Sequence, residues 1–169
     1  MIFNLQMVTI DNEYCDYLRK FDSKVAYNMA KKSNRPFIGI LFNIKDIEYF
    51  APLSSPKPKH LTMKNKIDFF KIKNGELGAV NFNNMIPVTK ENYTVLNLNE
   101  DTGKVEKNKY LKLLLEQLKW LNENIYQVSE NSFKLYNLYN DNKLPEVIRK
   151  RCCNFKMLES KCMEYNAKI

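Results

Sequence analysis

The apolar positions change rhythm along the chain. Up to about residue 98 they fall in short runs of strand length, and beyond residue 110 they recur at helical spacing. Residues 2–10 (IFNLQMVTI) are rich in β-formers and predict a strand. Asp11 stands where it can cap a helix over residues 11–22, with Tyr14, Leu18 and Phe21 on one face. A polar, basic connection over residues 22–36 ends in Pro36. Residues 37–44 (FIGILFNI) form an unbroken apolar run, and Lys45-Asp46 can turn it into a second run at 47–53, a hairpin pattern. Residues 54–66 break the pattern with two prolines and four lysines and read as an exposed loop. Strand patterns resume at 67–73 and 77–82 around an Asn74-Gly75 turn, then at 85–88 and 93–98.

Leu111, Leu114, Leu115, Leu118 and Leu121 then mark a helix. A second helix is predicted from about Ile125 to Tyr139, with Val128, Phe133, Leu135 and Leu138 as its apolar positions. After Pro145, residues Phe155, Leu158, Glu159 and Cys162 suggest a last short helix. Hairpin-linked strands followed by helices imply an antiparallel α+β fold, and 169 residues are the length of one domain, taken here as 1–169.

Composition narrows the functional classes. The formal net charge is +8, which favours polyanionic partners, although a chain so rich in lysine and asparagine also arises from an AT-biased genome. The excess is clustered in three segments. Residues 19–35 hold Arg19, Lys20, Lys24, Lys31, Lys32 and Arg35; residues 57–73 hold Lys57, Lys59, Lys64, Lys66, Lys71 and Lys73; the last 27 residues include Arg149, Lys150 and Arg151. Lysines in loops suit phosphate contacts better than base reading. There is no secretory pattern at the start, and no run approaches the roughly 18 apolar residues of a membrane span. The expectation is a cytoplasmic protein whose four cysteines are reduced and serve packing.

The chemistry is bounded by what is missing. A single histidine, His60, excludes a two-histidine acid–base mechanism within one chain. Cys152 and Cys153 are adjacent and no C-x-x-C occurs, so a zinc site is not expected, and the scattered carboxylates offer no multi-metal nuclease centre. Phosphate-binding and dinucleotide-binding glycine motifs are absent. What remains is Ser54-Ser55-Pro56-Lys57 at a strand end. RNA carries its own nucleophile, the 2′-hydroxyl, so its cleavage needs only in-line geometry, proton transfer and stabilised charge on phosphorus. A lysine ammonium and serine hydroxyls can supply these. Taken alone, the same four residues read better as an ordinary exposed turn than as a catalytic group, and His60 better as an ordinary surface histidine than as a proton carrier.

Several stretches, in order, resemble the ToxN/AbiQ family of endoribonuclease toxins from type III toxin–antitoxin and phage abortive-infection systems. They are Tyr14-x-x-Tyr17-Leu18-x-x-Phe21-Asp22-x-Lys24-Val25, Pro36-Phe37-Ile38-Gly39-Ile40, and Tyr49-Phe50-Ala51-Pro52-Leu53-Ser54-Ser55-Pro56-Lys57 with His60 following. Leu77-Gly78, Asn84-Met85-Ile86-Pro87-Val88 and Cys153-Asn154-Phe155-x-x-Leu158-Glu159 complete the set. The resemblance implies a strongly bent antiparallel sheet, a partly open barrel similar to the MazF/Kid toxins, surrounded by helices. It implies cleavage without metal or cofactor, leaving a 2′,3′-cyclic phosphate and a 5′-hydroxyl. It also implies inhibition by an antitoxin RNA of pseudoknot repeats, which the toxin processes and with which it alternates in a closed ring.

By the same resemblance Ser55 and Lys57 fall on the family's active-site serine and lysine, Ser54 stands where relatives have threonine, and Arg35 where they can have lysine. Arginine binds phosphate but is a poor proton donor, which shifts the acid role to Lys57. Tyr27 and His60 are further catalytic candidates. Lys31, Lys32, Lys59, Lys64, Lys66, Arg149, Lys150 and Arg151 are candidates for holding the RNA backbone. The rival readings are a non-catalytic RNA-binding module and a toxin acting on a protein target.

Overall fold

The computed structural model describes residues 4–26 and 35–167. Eight strands form one antiparallel sheet: β1 (Gln6–Ile10), β2 (Pro36–Gly39), β3 (Asn43–Ile44), β4 (Ile47–Ser54), β5 (Phe69–Lys71), β6 (Ala79–Asn81), β7 (Ile86–Val88) and β8 (Tyr93–Val95). The path runs β5-β6-β4-β2-β1-β8, with β3 and β7 also paired to β4. Among the described residues β5 and β8 end this path and β3 and β7 pair only with β4, so the sheet is not closed. Among the described residues six α-helices accompany it: α1 (Asn12–Arg19), α2 (Pro58–Thr62), α3 (Val105–Glu123), α4 (Ile125–Asn140), α5 (Glu146–Arg149) and α6 (Phe155–Ala167). Mixed helices with an antiparallel sheet are what the pattern implied.

β4 is the axis of this sheet. It is buried along its length up to Leu53, which is why its sequence is apolar at consecutive rather than alternate positions. Each of its sides holds two strands: β3 and β2 on one, β7 and β6 on the other. The apolar run 37–44 is therefore not a single strand, as expected, but two. Between the pairs Phe37↔Pro52 and Asn43↔Glu48 the outer chain has two residues more than β4, and they bulge at 40–42. Leu41 and Phe42 stay tied to Tyr49 by backbone hydrogen bonds of 2.9 and 3.1 Å. Gly39 just before the bulge lies under the Phe50 ring, where a Cβ would come within 2.5 Å of it.

On one face of β4, Tyr49 meets Phe42, Tyr136 and Phe155, which brings α4 and α6 onto the sheet. Glu159 of α6 is buried here, and its Oε2 accepts from both Tyr49 Oη (2.6 Å) and Tyr136 Oη (2.7 Å). Burial, reinforced by the adjacent Glu159, holds the Tyr49 hydroxyl well above its ordinary pKa, so it remains a donor. α3 buries Leu111, Leu114 and Leu121, each side chain contributing about 1.5–3 kcal/mol by its removal from water. A second tie joins the chain's two ends: buried Asp22 accepts from the Asn154 N–H (2.7 Å) and the Lys24 N–H (3.0 Å).

Two further expectations are corrected. Tyr14 and Leu18 are buried, but Phe21 is 43% exposed, because α1 ends at Arg19 and the helical period does not carry beyond it. Residues 54–66 are not wholly loop, since Pro58 opens the short helix α2.

Candidate active site

Ser54 is the last residue of β4, paired with Ala79 of β6. Two residues further along β6, on the same face, Asn81 Nδ2 donates to Ser54 Oγ at 2.7 Å. The β2–β4 register, continued two residues past Phe37↔Pro52, brings Arg35 to the flank of Ser54 opposite Ala79. Arg35 is half-buried; burial lowers the pKa of its guanidinium, against an opposing influence from Tyr110 of α3. The strand pairing thus joins Ser54 to Asn81, and Arg35 stands immediately before β2.

After Ser54 the chain turns outward. Ser55, Pro56 and Lys57 are exposed, and Lys57 is extended (φ −137°, ψ 149°) as the residue before α2. Among the described residues its ammonium enters no salt bridge. One turn later the chain dives back: His60 is only 1% exposed, so it is neither a surface histidine nor part of an exposed loop. Its N–H donates to the Lys57 carbonyl (2.9 Å) and its Nδ1 accepts the Lys57 N–H (3.2 Å). The Phe69 ring lies 5.8 Å from the imidazole. Burial, then Lys59 and Lys57, lower the His60 pKa and favour the neutral ring.

Two glycines hold this excursion from beneath. Gly78 (φ +95°) lies so close that a Cβ would sit 2.1 Å from the Ser54 carbonyl oxygen, and Gly75 (φ +96°) so close that one would sit 2.2 Å from that of His60. Both need a positive φ and the absence of a side chain, so the 75–78 turn grips the 54–60 segment at its two ends. Gln117 of α3 in turn donates to the Leu77 carbonyl at 2.8 Å. The match at Leu77-Gly78 thereby acquires a physical meaning. Asn81 and Gln117 were missed by sequence reasoning; Asn81 shared the alternation of β6, while the buried face of α3 gave no signal for a polar residue.

The remaining basic candidates divide. Lys59, Lys64 and Lys66 are exposed beside the same segment in sequence, as is Lys150 on its own. Arg149 donates to the Tyr139 carbonyl (2.7 Å) with its guanidinium 4.1 Å over the Tyr139 ring. Arg151 forms a two-pronged bond to buried Asp68, at 2.9 and 3.1 Å. The 149–151 run is therefore not a patch of three free cations. Tyr27, Lys31 and Lys32 lie outside the described residues. Among the described residues no three His, Cys, Asp or Glu side chains are grouped to hold a metal ion, and no helix is long and apolar enough to cross a membrane.

An α+β fold with serines and lysine at the end of its central strand fits a class of small toxins, and the comparisons are specific. The sequence model described as Toxin ToxN, type III toxin–antitoxin system, matches residues 6–163. The chain belongs to this ToxN family. It is 33% identical to the endoribonuclease ToxN of Bacillus thuringiensis subsp. kurstaki over 166 residues, covering 96% of this chain and 84% of the relative. Among solved structures it is similar to AbiQ, a lactococcal anti-phage endoribonuclease of a type III system, with TM-score 0.81 and 27% identity over 98% of this chain and 99% of the other. A second similar structure concerns type III systems and selective toxin inhibition by a non-coding RNA pseudoknot, with TM-score 0.78 and 30% identity over 97% and 99% of the two chains.

Proposed function

We propose that this protein is an endoribonuclease toxin of a type III toxin–antitoxin system, acting in antiviral abortive infection. The observation that carries the reading is the clamped 54–60 segment, which presents two serine hydroxyls and, at the end of a buried strand, a lysine ammonium that forms no salt bridge among the described residues. The substrate's 2′-hydroxyl, giving up its proton to solvent water, attacks the adjacent phosphorus in line with the departing 5′-oxygen. Lys57 neutralises the phosphorane oxygens and delivers a proton to the leaving oxygen, while Ser55 and Ser54 orient the phosphate by hydrogen bonds. Arg35, on the flank of Ser54, adds phosphate binding, and Tyr27 is the further catalytic candidate. The products are a 2′,3′-cyclic phosphate and a 5′-hydroxyl, formed without metal or cofactor.

The exposed Lys59, Lys64 and Lys66, with Lys31, Lys32 and Lys150, follow the RNA backbone. Similarity to a system inhibited by an RNA pseudoknot supports an antitoxin RNA partner of that kind. We take its repeats to be processed by this chain and to alternate with it in a closed assembly. The two pairs of strands along β4 support a sheet strongly bent around that strand, a partly open barrel of the MazF/Kid type. Residues 1–169 act as one domain, in the cytoplasm.

The test is expression of Ser55→Ala and Lys57→Ala in a sensitive host, with the pure proteins incubated with cellular RNA in EDTA. Both variants are expected to lose growth arrest and cleavage, Lys57→Ala by about 10²–10³-fold in kcat. Wild-type behaviour of both overturns the site. An intact RNA profile at high wild-type protein favours a binding module without catalysis.

A further inference from the structure

The histidine candidate invites a proton-transfer role, but its surroundings argue for a different one. His60 is sealed from solvent at 1% exposure, against Phe69, with Gly75 packed closely on its carbonyl. Its Nδ1 is already engaged by the Lys57 N–H at 3.2 Å. An N–H donor there requires a bare Nδ1, so the ring carries its proton on Nε2. The arrangement is half of a capping box, with imidazole in place of the usual Glu or Gln: the third helical residue reaches back to the N–H of the residue before the helix.

The backbone so fixed is that of the lysine. The Lys57 side chain is exposed, while its backbone N–H and carbonyl are both bound by His60. Pro56 and Pro58 on either side remove the other N–H groups that could have anchored it.

We propose that neutral His60 is a positioning residue for the cleavage reaction, its Nδ1 fixing the Lys57 backbone so that the ammonium is aimed at the scissile phosphate. The inference rests on the assignment of Lys57 to the active site and adds a role for the one histidine of the chain. No proton passes through the ring in turnover.

Amide side chains separate this role from proton transfer, because Gln or Asn keeps an acceptor for the Lys57 N–H but does not titrate. His60→Gln, His60→Asn and His60→Leu are compared for cleavage of a short RNA, with Lys57→Ala alongside. Misplacement of the lysine without an acceptor is expected to lower kcat of His60→Leu about a hundredfold with KM little changed, while one of the two amide variants keeps wild-type kcat within a few-fold. Folded amide variants both as inactive as His60→Leu overturn the proposal, as does a fully active His60→Leu. A Lys57→Ala variant with full activity instead overturns the site assignment on which it rests.

A measurement on the unaltered protein does not depend on any variant folding. With one histidine in the chain, the imidazole ¹⁵N spectrum is a single ring. The neutral form protonated at Nε2 is expected at pH 7; an imidazolium or a ring protonated at Nδ1 overturns the proposal.

Discussion

Two basic stretches of this chain look alike in composition and behave differently in the fold. From 57 to 66 the cations are lysines on an exposed segment, and from 149 to 151 two of the three are arginines already held by a carboxylate, a carbonyl and a ring. The difference follows from chemistry. A guanidinium is a planar fork that satisfies Asp68 from two directions and stacks on Tyr139, whereas an ammonium on a flexible stem leaves its charge in water. A count of positive residues therefore overstates the surface available to a polyanion, and the lysine stretch keeps the charge that the 149–151 run has spent.

The sharpest way to break this contrast is to release the grip under the lysine stretch. Gly78→Ala introduces a Cβ 2.1 Å from a carbonyl oxygen at a φ of +95°. It is expected to lower stability by about 3 kcal/mol and cleavage with it, seen as a drop in Tm and in kcat together. Next, Arg151→Ala strands the buried carboxylate of Asp68. A loss of about 2–3 kcal/mol is expected in denaturant unfolding, with the salt dependence of antitoxin RNA binding unchanged. A shallower salt slope in this variant would show that Arg151 contacts phosphate after all.

The reverse pattern is expected from the lysines. Lys64→Ala and Lys66→Ala should leave Tm within a degree or so while each reduces the slope of log affinity against log salt by about one, measured by RNA titration at several ionic strengths. The smallest effect is on pH dependence. His60 has its pKa lowered in the fold, by burial and then by Lys59 and Lys57. The unfolded chain therefore takes up the proton first as pH falls below about 6.5, so this contribution to stability is complete above that pH and is lost as pH drops through the folded value. Thermal unfolding between pH 7 and pH 5 should show this loss for the wild type and a smaller one for His60→Gln.

Much of this fold was legible because its largest elements obey simple periods. The leucines of α3, the hairpin at Lys45 and the pairing of β5 with β6 around Asn74-Gly75 all stand where the pattern put them. Failures came where a local signal was outvoted by a distant contact. The run 37–44 is apolar throughout, and only the differing registers along β4 reveal that it must bulge. Phe21 lies just past a helix end that α1 imposes. His60 sits in a lysine-rich stretch, yet the 75–78 turn and Phe69 bury it, and neither is near it in sequence.

Of the stretches that carried the resemblance, the serine–lysine segment is the candidate for chemistry, while Asp22, Tyr49 and Glu159 are buried ties of the fold, the first of them closed by the backbone N–H of exposed Asn154. A sequence cannot tell these apart, because a residue needed for packing and one needed for cleavage recur alike.

The tie at Glu159 has a consequence for how the chain comes into being. Synthesis delivers β4 and the 54–60 segment first, and α6 about a hundred residues later. Until that last helix arrives, the hydroxyl of Tyr49 and the carboxylate of Asp22 lack their closing partners, and the strand that ends in the serines has no lid over its aromatic face. The element that closes the aromatic face of β4 is thus made after the strand it covers.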